Sequence, residues 1–261
     1  MDIIKVNKKP KQCMSVKLQR LLILMTAIMM ALVTFTACDE DENGEDDPNG
    51  NGGVSGKRVK STLSTCSAPG YVNFRTDITY NSDGTVKRTD TYDPTSSKLL
   101  WYCIVTSNSN GTTAKSVLYD QINVGTTLEE TFFYNSDKTI QKIQSDTFKD
   151  GVKAGTVIWE FTYAYGKKIR QTYHTEGSSD LGEIIFNYDA GGRRTTSVTT
   201  YYYDGGRQSP TITHTRTYNA DGTVQKVTYP YGYDGDSQMI TYEYTWENGK
   251  TTMDFDMGEP W

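Results

Sequence analysis

Three sets of side chains have the types and spacing to do chemistry. His174 lies in "YHTEGSSD" with Ser178 and Asp180 close behind it, the residue types of a base, a nucleophile and an orienting acid. Such triads assemble in space rather than along one short stretch, and no nucleophile elbow surrounds Ser178, so a solvated loop explains the segment better. Glu160, Glu183 and Glu243 would supply the paired carboxylates of a glycosidase if two of them met across a cavity. Each alternates with apolar neighbours, which places it on the wet face of a strand. "YDGDS" offers Asp234 and Asp236, too few oxygens for a calcium loop. No Cys-x-x-Cys spacing suggests a metal, and no motif suggests a cofactor.

The chain carries four cysteines, Cys13, Cys38, Cys66 and Cys103. The last two belong to the main domain. In an oxidising compartment they are candidates for a disulfide. Two free thiols account for them equally well, because Cys103 sits in phase with an apolar face.

The richest candidates are aromatic. "TYYYDGG" holds Tyr201, Tyr202 and Tyr203, and "TYPYGYDG" holds Tyr229, Tyr231 and Tyr233. A strand turns alternate side chains to opposite faces, so three consecutive tyrosines cannot all be buried on one side. Some should stand exposed at a rim beside Gly-rich loops, where a flat ring with a hydroxyl suits stacking on a sugar or gripping a partner. High β-propensity with local packing is the alternative for all six.

These side chains must be positioned by strands. "YNSDGTV" at Tyr80, "YNSDKTI" at Tyr134 and "YNADGTV" at Tyr218 are near copies, and looser versions begin at Ser107, Tyr165, Tyr188 and Trp246. Asn-x-Asp-Gly is hairpin chemistry: Gly accepts positive φ, while Asn and Asp cap the turn with their side chains. Seven units at near-regular spacing read as seven hairpins. Counting back in twos from each turn gives Ile78 and Phe74, then Val105, Cys103 and Trp101, then Phe132 and Leu128. Later units give Tyr163, Phe161 and Trp159, then Phe186 and Ile184, then Tyr244, Tyr242 and Ile240. A constant phase means one buried face and one wet face.

There are exceptions. The unit at Tyr218 puts Arg216 and His214 on the apolar phase, which argues against a lipid-facing strand. Leu100 and Ile104 make the unit at Ser107 apolar on both faces, as if covered twice. After the turns, Val224 and Val227, like Ile140 and Ile143, fall three apart, a phase shift that a β-bulge would repair. The expected fold is all-β: an antiparallel up-and-down meander of about 14 strands, rolled into a closed or nearly closed barrel. So wide a barrel must be flattened, partly hollow, or plugged by residues 54–70.

The N-terminus sets the address. Basic residues, the apolar run "LLILMTAIMMALV" and small residues before Cys38 in "FTAC" describe a secretory signal over residues 1–37. Met14 also begins a compact signal and is a second candidate start. The cysteine after the cut resembles a bacterial lipobox, which implies lipidation at Cys38 and a membrane partner through the acyl chains. Residues 38–56 read as a disordered tether, and their acidic run "DEDENGEDD" resembles the surface-export signal of Bacteroidetes lipoproteins. The formal net charge of the whole chain is -5, which gives residues 57–261 no basic footprint for nucleic acid.

The Tyr-Asn/Asp-x-x-Gly units resemble YD repeats of the Rhs type, with "YDAGGR" at 188–193 the best match. The layout of lipobox followed by hairpin repeats is similar to a family of Bacteroidetes surface lipoproteins of unknown function, described as porin-like in fold. That resemblance spans roughly residues 60–261 and brings no catalytic residues with it. The expected function is a lipid-anchored, outer-membrane, surface-exposed and non-catalytic binding module for a glycan or an envelope partner. The alternatives are a structural or assembly component and a glycan-acting hydrolase.

Overall fold

The computed structural model describes residues 57–68, 71–203, 206–208, 211–230 and 238–248. The signal segment, Cys38 with its tether, Tyr231, Tyr233, Asp234 and Asp236 lie outside the described residues. The elements are all strands: β1 (Lys57–Thr65), β2 (Phe74–Tyr80), β3 (Val86–Tyr92), β4 (Leu99–Ser107), β5 (Thr113–Asp120), β6 (Thr126–Tyr134), β7 (Ile140–Lys149), β8 (Val152–Ala164), β9 (Lys167–Thr175), β10 (Leu181–Tyr188), β11 (Arg194–Tyr203), β12 (Arg207–Gln208), β13 (Ile212–Tyr218), β14 (Val224–Pro230) and β15 (Met239–Asn248).

Each wall strand pairs antiparallel with its chain neighbours, and β1 closes the ring by pairing with β15. The two-residue β12 adds only to the end of β11, while β13 takes the next place in the wall. The result is a closed meander barrel of 14 strands, as the repeat count predicts.

The turn motif explains the hairpins. Gly84 N–H donates to Asn81 O at 3.1 Å with Gly84 at φ 85°. The Asn81 amide donates to the Thr85 hydroxyl at 2.8 Å, and Asp83 accepts from Thr85 N–H at 2.9 Å. The same bonds recur at Asn108 to Thr112, Asn135 to Thr139 and Asn219 to Thr223. In each case the threonine is buried, so the side chains that close the turn also seal that end of the barrel.

A bulge follows every tight turn. Tyr80 opposes Val86 but Thr79 opposes Arg88, leaving Lys87 as the extra residue. Ala114, Gln141, Ile169, Thr195 and Gln225 are the extra residues in five other hairpins. An extra residue resets the phase, so Val224 and Val227, and Ile140 and Ile143, are all buried. In the unit after Tyr165 the bulge turns Ile169 outward, and Lys168 takes the inward place instead. Arg194 holds the same place one hairpin later.

The seventh hairpin is split between the two ends of the described chain. Trp246 opposes Val59 and Thr245 opposes Ser61, with Lys60 as the extra residue. "RVKST" of β1 thus stands where "TVKRT" stands after Tyr80. Lys57–Thr65 is therefore a wall strand, which corrects the alternative that residues 54–70 plug the barrel.

Large and small side chains alternate around the interior. Strands that lead into tight turns bring aromatics, and the strands between them bring Ser and Thr. Ser64 opposes both Tyr242 and Phe74, whose rings meet at 6.0 Å over the gap it leaves. Phe74 in turn meets Trp101 at 5.6 Å. Each such ring contributes roughly 1.5–3 kcal/mol by leaving water. Ser64, Cys103, Ser197 and Thr199 are all fully buried. At their levels the lumen is filled with protein.

The outer wall is charged. Lys115 pairs with Glu129 at 2.5 Å, Arg170 with Glu183 at 2.6 Å and Arg88 with Asp90 at 2.6 Å. Ile104 is exposed on this wall, so β4 is not covered twice. Leu100, the extra residue between Leu99 and Trp101 in the pairing with β3, is the only buried member of that pair.

Candidate functional site

The barrel has two unlike ends. One is closed by the tight Asn-x-Asp-Gly-Thr turns. The other carries the longer connections at residues 66–73, 93–98, 121–125 and 176–180, together with the ends of β11, β14 and β15. Of the tyrosines singled out from the sequence, the described ones, Tyr201, Tyr202, Tyr203 and Tyr229, lie at this loop end, and among them only Tyr203 is exposed.

Tyr203 is exposed at the end of β11. Tyr202 turns outward, where its hydroxyl donates to Glu183 at 3.0 Å beside Arg170. Tyr201 turns inward and meets Tyr173 edge-on at 6.1 Å. Tyr229 corrects the rim expectation. It is buried, stacks on Tyr242 at 6.0 Å and packs against His214 at 4.5 Å. The bulge at Gln225 causes this, because it brings Val227 and then Tyr229 onto the inner face.

Tyr173 anchors an inner aromatic row. Its ring stacks on Trp159 at 4.4 Å and lies flat over Gly182. A Cβ at Gly182 would sit 1.9 Å from Tyr173 Cζ, so the ring occupies the space a side chain would need. Deeper on the same faces, the Gln171 amide and the Thr199 and Ser197 hydroxyls are buried without a hydrogen-bond partner.

Glu130 was not singled out by the sequence reading, although it falls on the inward phase between Phe132 and Leu128. Its carboxyl accepts from Ser116 at 2.9 Å and Ser145 at 3.1 Å, and Trp159 Nε1–H donates to Ser145 Oγ at 3.2 Å. Burial pushes its pKa up to about 7, and the two serine hydroxyls pull the other way. The carboxyl is enclosed, and its bonds to Ser116 and Ser145 tie β6 to β5 and β7 on the inner face.

The other candidates do not converge. Glu160 and Glu243 are exposed on the outer wall, and Glu183 is held there by Arg170 and Tyr202. Ser178 Oγ accepts from Asp180 N–H at 3.1 Å and is used in its own loop. His174 sits between the inward-facing Tyr173 and the end of β9, opposite Leu181. His214 and Arg216 are buried on the inner face. Among the described residues no three His, Cys, Asp or Glu side chains gather as metal ligands.

Cys66 and Cys103 are both free, which corrects the disulfide expectation. Cys103 opposes Thr89, which opposes Ile78, at the level of Lys60 on β1. Cys66 lies about 20 Å further along that strand direction at ~3.3 Å per residue. A disulfide needs Cα atoms within about 7 Å. Burial pushes the Cys103 thiol pKa up, so it stays protonated.

Two surface features remain. A cleft of about 300 Å³ is lined by Arg75, Asp77, Tyr92, Asp93, Pro94 and Ser97 on the outside of β2 and β3. Ser97 holds a left-handed φ of 56° at its lip. Second, of the exposed large apolar side chains among the described residues, Val72, Ile122, Val124, Val152, Tyr203 and Met239 belong to the loop end, while Ile104, Phe133, Ile169 and Ile185 are on the outer wall and Tyr165 is at the tight-turn end.

No family model and no curated protein matches the chain. Among solved structures it is similar to a porin-like protein from Bacteroides uniformis, at 12% identity and a TM-score of 0.43, over 72% of this chain and 98% of that one. It is also similar to a chain of the TcdB2-TccC3-Cdc42 complex, at 12% identity and a TM-score of 0.25, covering 60% of this chain and 9% of that one. A chain of the Photorhabdus luminescens Tc holotoxin pore is similar at 11% identity and a TM-score of 0.19, over 68% and 12%. Likenesses at this level carry nothing about activity.

Proposed function

We propose that the chain is a surface-anchored lipoprotein whose barrel is a non-catalytic binding module for a glycan or an envelope protein, presented on an acidic tether from Cys38. The observation that supports this reading is that six of the eleven exposed large apolar side chains among the described residues stand at one end of the barrel. Val72, Ile122, Val124, Val152, Tyr203 and Met239 crowd the loop end. The chain enters the barrel at the opposite end, where Lys57 pairs with Asn248. A tether arriving there turns the loop end away from the membrane and toward a partner. Exposed apolar residues gathered on one face mark interaction surfaces.

The charged outer wall supports attachment by acyl chains rather than by the strands. A membrane-spanning barrel carries an apolar band outside, whereas the Arg88–Asp90, Lys115–Glu129 and Arg170–Glu183 pairs stand on this outer wall. The outward placement of Glu160, Glu183 and Glu243 favours binding over hydrolysis.

Glycan arrays and pull-downs from envelope fractions test the reading. Val124→Ser, Val152→Ser and Tyr203→Ala together should abolish capture, and Tyr165→Ser, at the tight-turn end, should leave it intact. Capture that survives the loop-end changes would refute it.

A further inference from the structure

In six hairpins a continuous chain joins the two strands. In the seventh, β1 and β15 are held by non-covalent contacts alone, over eight register pairs. The slot between β15 and β2 therefore recognises β1 as it would a separate strand. Val59 is buried in it, and Tyr80 Oη donates to Val59 O at 2.7 Å. Arg58 Nε donates to Glu247 at 2.8 Å, and its guanidinium lies 4.4 Å over the Tyr80 ring. Lys57 Nζ reaches Asp221 in a neighbouring turn at 2.5 Å.

β1 is also lightly held on its inner side. Its inward residues are Val59, Thr62 and Ser64, only one of them apolar, whereas β4 buries Trp101, Cys103 and Val105. Its retention rests on backbone pairing, end contacts and the Ser64 Oγ–Tyr71 Oη hydrogen bond, and a strand of the same sequence from another molecule would make all of them. Withdrawing β1 leaves two open edges, on β15 and β2, which template strand addition. The exchanged strand parts from its own barrel after Thr65, before β2 begins at Phe74.

We propose that the β15–β2 slot is a strand-acceptor site and that two copies of this chain exchange β1 to form a reciprocal dimer. Each barrel is then closed by its partner's first strand. The dimer keeps the β1–β15 and β1–β2 pairings of the monomer, so concentration decides between them.

The Lys57–Asp221 ion pair gives a readout without any substitution. Equal amounts of isotopically heavy and light full-length chain are mixed, held at rising concentration and coupled with a zero-length carbodiimide. Mass spectrometry then weighs the linked Lys57–Asp221 peptides. Exchange yields heavy–light pairs whose share rises with concentration toward one half. Only heavy–heavy and light–light pairs at every concentration would overturn the proposal. A second arm uses Leu63→Cys with Glu243→Cys, which oppose each other on the outer wall. Oxidised within the dilute monomer, this pair should abolish the heavy–light product, and mixed product that persists after locking would also overturn it.

Discussion

Trp246 Nε1–H donates to the carbonyl oxygen of Val224 at 2.8 Å. Val224 is the first inward residue after the preceding tight turn, and other repeats make the same buckle. Tyr80 reaches Val59 at 2.7 Å, Tyr134 reaches Thr113 at 2.9 Å, Tyr188 reaches Lys168 at 2.6 Å, and Tyr218 reaches Arg194. In these five repeats the aromatic that leads into the turn ties its hairpin to the one before. The repeating tyrosine is a fastener between neighbours as well as a core residue.

Tyr134→Phe keeps the ring and deletes the bond. Burial pushes the Tyr134 hydroxyl pKa up, so it remains a donor at any working pH. Loss of one such bond to a part-buried carbonyl should cost about 1 kcal/mol. Denaturant midpoints at constant slope would show it, and a midpoint equal to wild type would mean that the buckle is idle.

Lys138 occupies the position of Gly84, Gly111 and Gly222 in the turn motif, with φ at 67°. A side chain in the left-handed region costs roughly 1–2 kcal/mol. Lys138→Gly should therefore raise stability, by up to about 1 kcal/mol once the added freedom of the unfolded chain is subtracted. Gly84→Ala should lower it by a similar amount. Paired thermal melts of the two variants check both signs.

The two turn variants probe what was most legible in the sequence. Asn-x-Asp-Gly-Thr dictates a turn by local chemistry, and the constant phase of Trp101, Phe132 and Tyr242 dictates the buried face. The phase shift between Val224 and Val227 even marks the bulge. What could not be read was which strand would complete the seventh hairpin. Edge pairing is not local, and "RVKST" at the start of the domain satisfies β15. The bulge at Gln225 hid the burial of Tyr229, and the bulge at Ile169 put Lys168 in the inward place. The phase of the strands after the turns can be counted only once the extra residue has been placed. Glu130 was legible in principle as an acid on an apolar phase.

Glu130 makes stability depend on pH. Its pKa is raised in the folded barrel to about 7, above the ordinary glutamate value of about 4.3. Between those values the unfolded chain has released the proton and the folded chain holds it, so rising pH favours unfolding. Stability should fall from about pH 4.5 to 7 and then level off. The turn aspartates Asp83, Asp137 and Asp221 are held below their usual range, chiefly by Thr85 and Thr139 for the first two and by Lys57 and then Thr223 for the last. Their contribution is present above the unfolded aspartate pKa and is lost as pH falls through the lowered values, so it acts below this window. Glu130→Gln keeps an acceptor for Ser116 and Ser145. It should flatten the slope and stabilise the protein at pH 8 by roughly 1–3 kcal/mol. Urea titrations from pH 5 to 8 on both proteins would show whether the slope survives.

Gly182 and Tyr173 should behave as one unit. The ring of Tyr173 lies where a Gly182 Cβ would be, with that carbon only 1.9 Å from Cζ. Tyr173 cannot simply lift away, because Trp159 stacks on it at 4.4 Å and Tyr201 abuts it at 6.1 Å. Gly182→Ala should therefore act as overpacking and cost about 1–3 kcal/mol. In a Tyr173→Ala background the same change meets an empty space and should cost little. The coupling in the double-mutant cycle is then expected to exceed about 1 kcal/mol. Equal penalties in the two backgrounds would mean that the inner aromatic row yields freely. The sealed loop-end interior would then be soft enough to open, and Gln171, Ser197 and Thr199 beneath it would become reachable from solvent.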